Sequence, residues 1–255
     1  MEGESRYFLG IDLGSSYTKF VVVNKAGVMQ YQSVVPTLSR NKDSFNSRYQ
    51  FIRDTYAIRR CCTTGYGRDS FPGDLKKTEL ICASVGVSSL YPEKKNILDI
   101  GGEDIKIIES EACGQVTGFH MNDKCSAGTG TFITEIAEKA ELEIREMSGL
   151  AERSTTNRIM NSFCTVFAKT EILSWKFDNV SIEDISRGIY LSIVNRITKL
   201  PLKIQYPVYL CGGVIEYHPF LISLLGTELG VSVRATPDPQ FMVALGAAIL
   251  AGKHT

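Results

Sequence analysis

No apolar run in this chain approaches the length of a bilayer span; the longest, such as Phe20-Val21-Val22-Val23, are far too short. Neither charge is in excess, with Lys+Arg and Asp+Glu both at 28. Nothing global therefore points to nucleic acid or to an anionic membrane. The N-terminus has no basic stretch followed by an apolar one, so no secretory signal is expected and a cytoplasmic protein is. There is no C-x-x-C and no four-cysteine run, which excludes a zinc or iron–sulfur site legible from one stretch. Also missing are G-x-x-x-x-G-K-[ST] and any G-x-G-x-x-G opening a helix, the two common phosphate-binding signatures. What is present is an ordinary globular composition, 44% hydrophobic and 22% charged over 255 residues, enough for one large domain or two moderate ones. The seven cysteines are an odd number, and a disulfide framework does not suit a reducing compartment.

The most informative stretch is Cys125-Ser126-Ala127-Gly128-Thr129-Gly130, which runs into apolar residues at 132, 133, 136, 137 and 140. That spacing is close to helical, so a tight turn leads into a helix. Free backbone N–H groups at such a helix start favour an anion. A thiol at one end of the turn and room for phosphate at the other would let the same residues serve a metal–sulfur centre and a nucleotide.

Taken in order, Tyr7 to Gly14 reads as an apolar strand ending in Asp12 and Gly14. Ser15, Ser16 and Lys19 follow, then a second β-branched run, Phe20 to Val23, which makes a hairpin. Its loop offers N–H groups, two hydroxyls and Lys19 to a phosphate, while Asp12 can hold hydrated Mg²⁺. Residues 37–56 are polar and show little periodicity. Arg59 to Arg68 reads as a strand entering a glycine turn, and Glu79 to Leu90 as a helix stopped by Pro92. Asn96 to Ile108 repeats the first pattern: apolar strand, Asp99, Gly101-Gly102, and a second strand. Two such units predict a duplicated fold with one unit per lobe, Asp12 and Asp99 facing each other across a cleft and sharing a metal. Cys164 stands near the start of another helix, and Ser181 with Asp184 makes an acidic capping box for a helix to about Leu200. Tyr206 to Val214 is a strand into the double glycine Gly212-Gly213, and Phe241 to Ala251 a helix rich in small residues.

In order, Asp12/Gly14, Asp99/Gly101/Gly102 and Gly212/Gly213 resemble the phosphate-1, phosphate-2 and adenosine motifs of the superfamily of sugar kinases, actin and heat-shock chaperone ATPases. More closely, the chain resembles the activator (component A) ATPases of 2-hydroxyacyl-CoA dehydratases. These are grouped with the ATPase subunits of benzoyl-CoA reductases and the reductases of double-cubane-cluster proteins. The match lies in Gly10 to Ser15, Leu98 to Gly102, Cys125 to Gly130, Cys164 to Ala168 and Cys211 to Val214, nearly the whole chain in order.

The resemblance implies an α/β protein with two actin-like (ribonuclease H-like) lobes and an ATP cleft between them. The first lobe would be 1–94 plus 240–255, the second 95–239. It implies ATP or ADP with Mg²⁺, and one [4Fe–4S] cluster per homodimer, Cys125 and Cys164 of each chain supplying its four thiolates. Nucleotide contacts would come from Gly14, Ser15, Ser16, Lys19, Gly101, Gly102, Gly128, Thr129, Gly130, Gly212, Gly213 and Gln240. Asp12 and Asp99 would hold the metal's water, and Glu79 stands where related ATPases place a water-orienting Gln or Glu. Glu103 departs from the family's usual Gln after the phosphate-2 glycines. The implied function is an ATPase that drives low-potential electron transfer. Electrons would come from a ferredoxin or flavodoxin and go to an iron–sulfur partner such as a 2-hydroxyacyl-CoA dehydratase. A small-molecule kinase and a metal-free ATP-binding regulator of the same superfamily are the alternatives.

Overall fold

A computed structural model describes residues 7–37, 43–122, 129–161, 164–203 and 205–253. The chain forms two compact units, one of residues 1–94, 108–118 and 240–255, the other of 95–107 and 119–239.

The first unit opens with β1 (Tyr7–Leu13) and β2 (Tyr17–Val23), an antiparallel hairpin in which Asp12 pairs with Lys19. β3 (Met29–Pro36) continues the meander, and α1 (Asp43–Thr55) then leads to β4 (Ile58–Thr64), which lies parallel to β1. A two-residue strand, β5 (Leu75–Lys76), precedes α2 (Glu79–Leu90). Residues 37–56, polar by sequence, thus contain a helix. Phe45, Tyr49 and Ile52 recur at helical spacing and pack with Leu9, Ile11, Phe20 and Val22 into one core.

The second sheet begins with β6 (Lys95–Ile100), β7 (Ile105–Ser110) and β8 (Val116–Asn122). Then come α3 (Gly130–Ala140), α4 (Met147–Glu152), α5 (Thr165–Phe177) and α6 (Ile182–Ile197). β9 (Val208–Cys211) lies parallel to β6, followed by α7 (Gly213–Tyr217), α8 (Pro219–Leu229) and β10 (Val233–Ala235). A single 3₁₀ turn, Pro239–Phe241, leads to α9 (Met242–Lys253). The Ser181 half of the expected capping box is present, Asp184 N–H donating to Ser181 Oγ at 3.2 Å, while the Asp184 carboxylate accepts from Ser154 Oγ at 2.6 Å.

Each sheet has five strands, ordered β3-β2-β1-β4-β5 and β8-β7-β6-β9-β10. Read this way they are the same topology twice: a meander whose first strand is flanked by a later, parallel one. The repeat extends to the faces. Leu9, Ile11 and Leu13 of β1 point into one core, and Leu98 and Ile100 of β6 into the other. Period-two alternation therefore puts Asp12 and Asp99 on the opposite face of their strands. In the first unit that face meets α9, whose Ala244 backbone lies against Gly10. Among the described residues, no helix is long and apolar enough to cross a membrane.

Candidate functional site: two aspartate–lysine hairpins and a helix-start thiol

Asp12 ends β1 almost fully buried, and Lys19 Nζ reaches its Oδ2 at 3.1 Å. The other oxygen, Oδ1, is buried without a hydrogen-bond partner among the described residues. Leaving a carboxylate oxygen unpaired in the interior is unfavourable unless a cation's water shell meets it, and a hydrated Mg²⁺ fits that need. The turn after Asp12 is braced by Thr37, whose hydroxyl donates to the Gly14 carbonyl at 2.8 Å and whose N–H donates to the Ser16 carbonyl at 3.0 Å. Ser15 and Ser16 lie half-buried on this turn. Gly65, directly after β4, has φ +87°, and a Cβ there would lie 2.8 Å from Asp12 Oδ1. The positive φ and this close approach together require glycine.

The second unit repeats the arrangement. Asp99 is buried at the end of β6, and Gly212, directly after β9, has φ +100° and would place a Cβ 2.6 Å from Asp99 Oδ1. Lys106 stands at the same sequence separation from Asp99 as Lys19 from Asp12, with Nζ 3.9 Å from Asp99 Oδ2. It lies only 2.6 Å from Asp104 Oδ1. Lys106, Asp104, Thr37 and Gly65 were not singled out by sequence. The shared aspartate-to-lysine spacing was the available signal for Lys106.

Gly101 and Gly102 form the turn after Asp99. The Gly130 N–H donates to the Gly101 carbonyl at 3.0 Å, and the Thr131 N–H to the Gly102 carbonyl at 2.8 Å. Thr131 Oγ1 adds a third bond to the Gly102 carbonyl at 2.7 Å. These first donors of α3 are thus committed to the Gly101-Gly102 turn, which ties that turn to the segment following Cys125. Cys125 and Gly128 lie outside the described residues; Thr129, the N-cap of α3, is fully buried. Cys164 is the N-cap of the thirteen-residue helix α5, and its thiol is exposed. Among the described residues, no group of three or more His, Cys, Asp or Glu side chains is placed to hold a metal.

Glu79 is half-buried in the first turn of α2, behind Thr78, and Glu103 is exposed. Gln240 is buried in the 3₁₀ turn, close in sequence to Pro239, whose carbonyl accepts from the Gly212 N–H at 2.9 Å. Of the other cysteines, Cys61, Cys62, Cys82 and Cys211 are buried and Cys113 is exposed. A hydrogen bond between Cys62 and Cys82 pushes the Cys82 thiol up and draws Cys62 down. Burial, with the Asp99 charge next, holds the Cys211 thiol well above its usual range.

The profile of the BadF/BadG/BcrA/BcrD ATPase family matches residues 9–251. This chain belongs to that family. Within it, the chain is 33% identical over 257 residues to the (R)-2-hydroxyglutaryl-CoA dehydratase activating ATPase of Acidaminococcus fermentans, 98% of each being covered. The crystal structure of component A of that dehydratase superposes with a TM-score of 0.89, covering 98% of this chain and 99% of the other at 32% identity. The activator of the 2-hydroxyisocaproyl-CoA dehydratase from Clostridium difficile, solved with bound ADPNP, gives 0.88 at 29% identity, over 97% and 95%. The α/β fold with two five-stranded sheets is thus that of the family's actin-like ATPases.

Proposed function

We propose that this family ATPase is a reductive activator: it hydrolyses ATP to drive a low-potential electron into the iron–sulfur centre of a dehydratase or related reductase. One observation carries the reading. The turn that would meet the nucleotide phosphates, Gly101-Gly102, is hydrogen-bonded directly to the helix start that follows Cys125.

Gly14, Ser15, Ser16, Lys19, Gly101 and Gly102 bind phosphate, while Gly212, Gly213 and Gln240 lie against the adenosine. Mg²⁺ bound with the nucleotide would supply charge neutralisation at the transferred phosphoryl group. Asp12 and Asp99 hold its water shell. Glu79 orients the attacking water, so Glu79→Ala lowers kcat by about a hundredfold while leaving ADP affinity unchanged; a weaker ADP complex with unaltered kcat counts against the role.

Cys125 and Cys164 of each of two chains hold a [4Fe–4S] cluster at a homodimer contact, which supplies one-electron chemistry of low potential. A shift of the Gly101-Gly102 turn on hydrolysis pulls on Gly130 and Thr131, and so on the backbone around Gly128, Thr129 and Cys125. The electron enters from a ferredoxin or flavodoxin.

The test is stopped-flow reduction of an iron–sulfur dehydratase by the dithionite-reduced protein, with ATP and without. The reading requires a faster, ATP-dependent transfer. ATP hydrolysis that leaves the transfer rate unchanged rejects it, and transfer of phosphate to a small-molecule acceptor favours the kinase alternative.

A further inference from the structure

The two units repeat the aspartate at the strand end but differ in the side chain next to it. In the first, β1 and β4 run parallel with Asp12 directly beside Thr64, and Gly65 follows. In the second, β6 and β9 place Asp99 directly beside Cys211, and Gly212 follows. Residues paired laterally in a sheet project from the same face, so each aspartate shares its face with that neighbour. The Cys211 thiol is hydrogen-bonded to Asp99. No such bond joins the first pair. Asp12 Oδ1 and Thr64 Oγ1 are both buried, and neither has an oxygen or nitrogen hydrogen-bond partner among the described residues.

What these two oxygens can accept decides what fits them. The Asp12 carboxylate, ion-paired to Lys19 through Oδ2, only accepts. The Thr64 hydroxyl has one hydrogen, which the Cys82 sulfur beside it can take, and its two lone pairs stay open. A group that meets both oxygens must therefore bring two donors and need none in return. Water coordinated to a cation is such a group, since its own lone pair is committed to the metal and both hydrogens point away. Neighbouring strands lie about 4.8 Å apart, a span that one bridging water matches. Gly65 keeps the space beside Asp12 Oδ1 open, where a Cβ would lie 2.8 Å from that oxygen. In the second unit the corresponding place holds a thiol, a weak acceptor, whose hydrogen goes to the aspartate itself.

We infer that Thr64 is a positioning residue for the nucleotide's hydrated divalent cation: its hydroxyl oxygen and Asp12 Oδ1 together accept from one water of that cation's shell. The first unit thus orients the water with two oxygens from neighbouring strands, where the carboxylate alone would leave it free to turn. This rests on the nucleotide reading above.

The experiment is calorimetric titration of the full chain with ADP, in excess Mg²⁺ and in EDTA, which needs neither turnover nor cluster. The readout is the factor by which Mg²⁺ tightens ADP. Thr64→Val keeps the shape and removes the hydroxyl. It is expected to cut that factor about fivefold, with the affinity in EDTA within about twofold of wild type. Thr64→Ser keeps the oxygen and should hold the factor within about twofold of wild type. A Thr64 that serves only the fold, or an ordinary buried water held there with or without the cation, moves both affinities together, and that result overturns the inference. So does a wild-type factor in Thr64→Val, or a Thr64→Ser factor as low as that of Thr64→Val. Should Thr64→Val not fold, Thr64→Cys decides, since it sets a thiol beside Asp12 as the second unit does beside Asp99. A factor lowered about fivefold with unaltered affinity in EDTA upholds the inference, and an unchanged factor overturns it. A wild-type chain that binds no ADP, or binds it no tighter with Mg²⁺, overturns the nucleotide reading as well, whereas a normal factor surviving in Thr64→Val overturns this inference only.

Discussion

Nδ1 of His218 lies 2.7 Å from the hydroxyl of Tyr190, and both side chains are buried in the second unit. Ser148 Oγ stands 3.3 Å from the same hydroxyl and accepts from the Phe220 N–H at 3.4 Å, so the pair ties α4, α6 and the start of α8 together. Burial lowers His218 from its ordinary 6.5 to about 4. The folded chain thus binds fewer protons here than the unfolded one between these values, and stability falls as pH falls through the window. Denaturant titrations should show the margin of wild type over His218→Gln shrinking by about 2 kcal/mol from pH about 7 to about 5. A constant margin would mean that the ring takes up its proton as readily in the folded chain as in the unfolded one.

A helix contact in the first unit gives a sharper stability prediction. Gly246 of α9 lies against the carbonyl of Cys82 in α2, so near that a Cβ would overlap it, and neither backbone can yield without moving its helix. Gly246→Ala should destabilise the chain by about 2 kcal/mol or more, since overpacking forces backbone shifts. Thermal unfolding checks this, and a variant as stable as wild type would show the two helices free to separate.

The bond from Thr131 Oγ1 to the Gly102 carbonyl separates coupling from hydrolysis. Thr131→Val keeps the backbone bonds of α3 and removes the 2.7 Å side-chain tie. ATP turnover should stay within about threefold of wild type while ATP-stimulated reduction of an iron–sulfur partner drops by about tenfold, the loss of roughly one hydrogen bond at the moving joint. Equal losses in the two assays would assign Thr131 to the fold of the turn rather than to transmission.

How far the sequence reached depended on where the physical signal was local. The hairpin ending in Asp12 and the strand ending in Asp99 were legible because apolar runs stop at an acid and glycines. The Ser181 cap was legible because cap and donor are three residues apart. Helix α1 was not, since Phe45, Tyr49 and Ile52 stand among charged and polar neighbours that hide their period. Strands β3 and β8 lie at sheet edges and are half-exposed on both faces, so little alternation marks them. The ties from Gly130 and Thr131 to the Gly101-Gly102 turn, and the bond from Lys106 to Asp104, join groups whose meeting only the folded chain reveals. Spacing carried an unused signal for Lys106, at the position of Lys19, and none for its bond to Asp104.

The central claim is a cluster held by Cys125 and Cys164 of two symmetry-related chains, and metal analysis tests it most directly. Anaerobically purified protein should be a brown dimer carrying about four iron and four acid-labile sulfide per two chains, with Cys164→Ala losing both. Colourless, iron-free wild type after anaerobic reconstitution, or Cys164→Ala with a full complement of iron, would contradict the account.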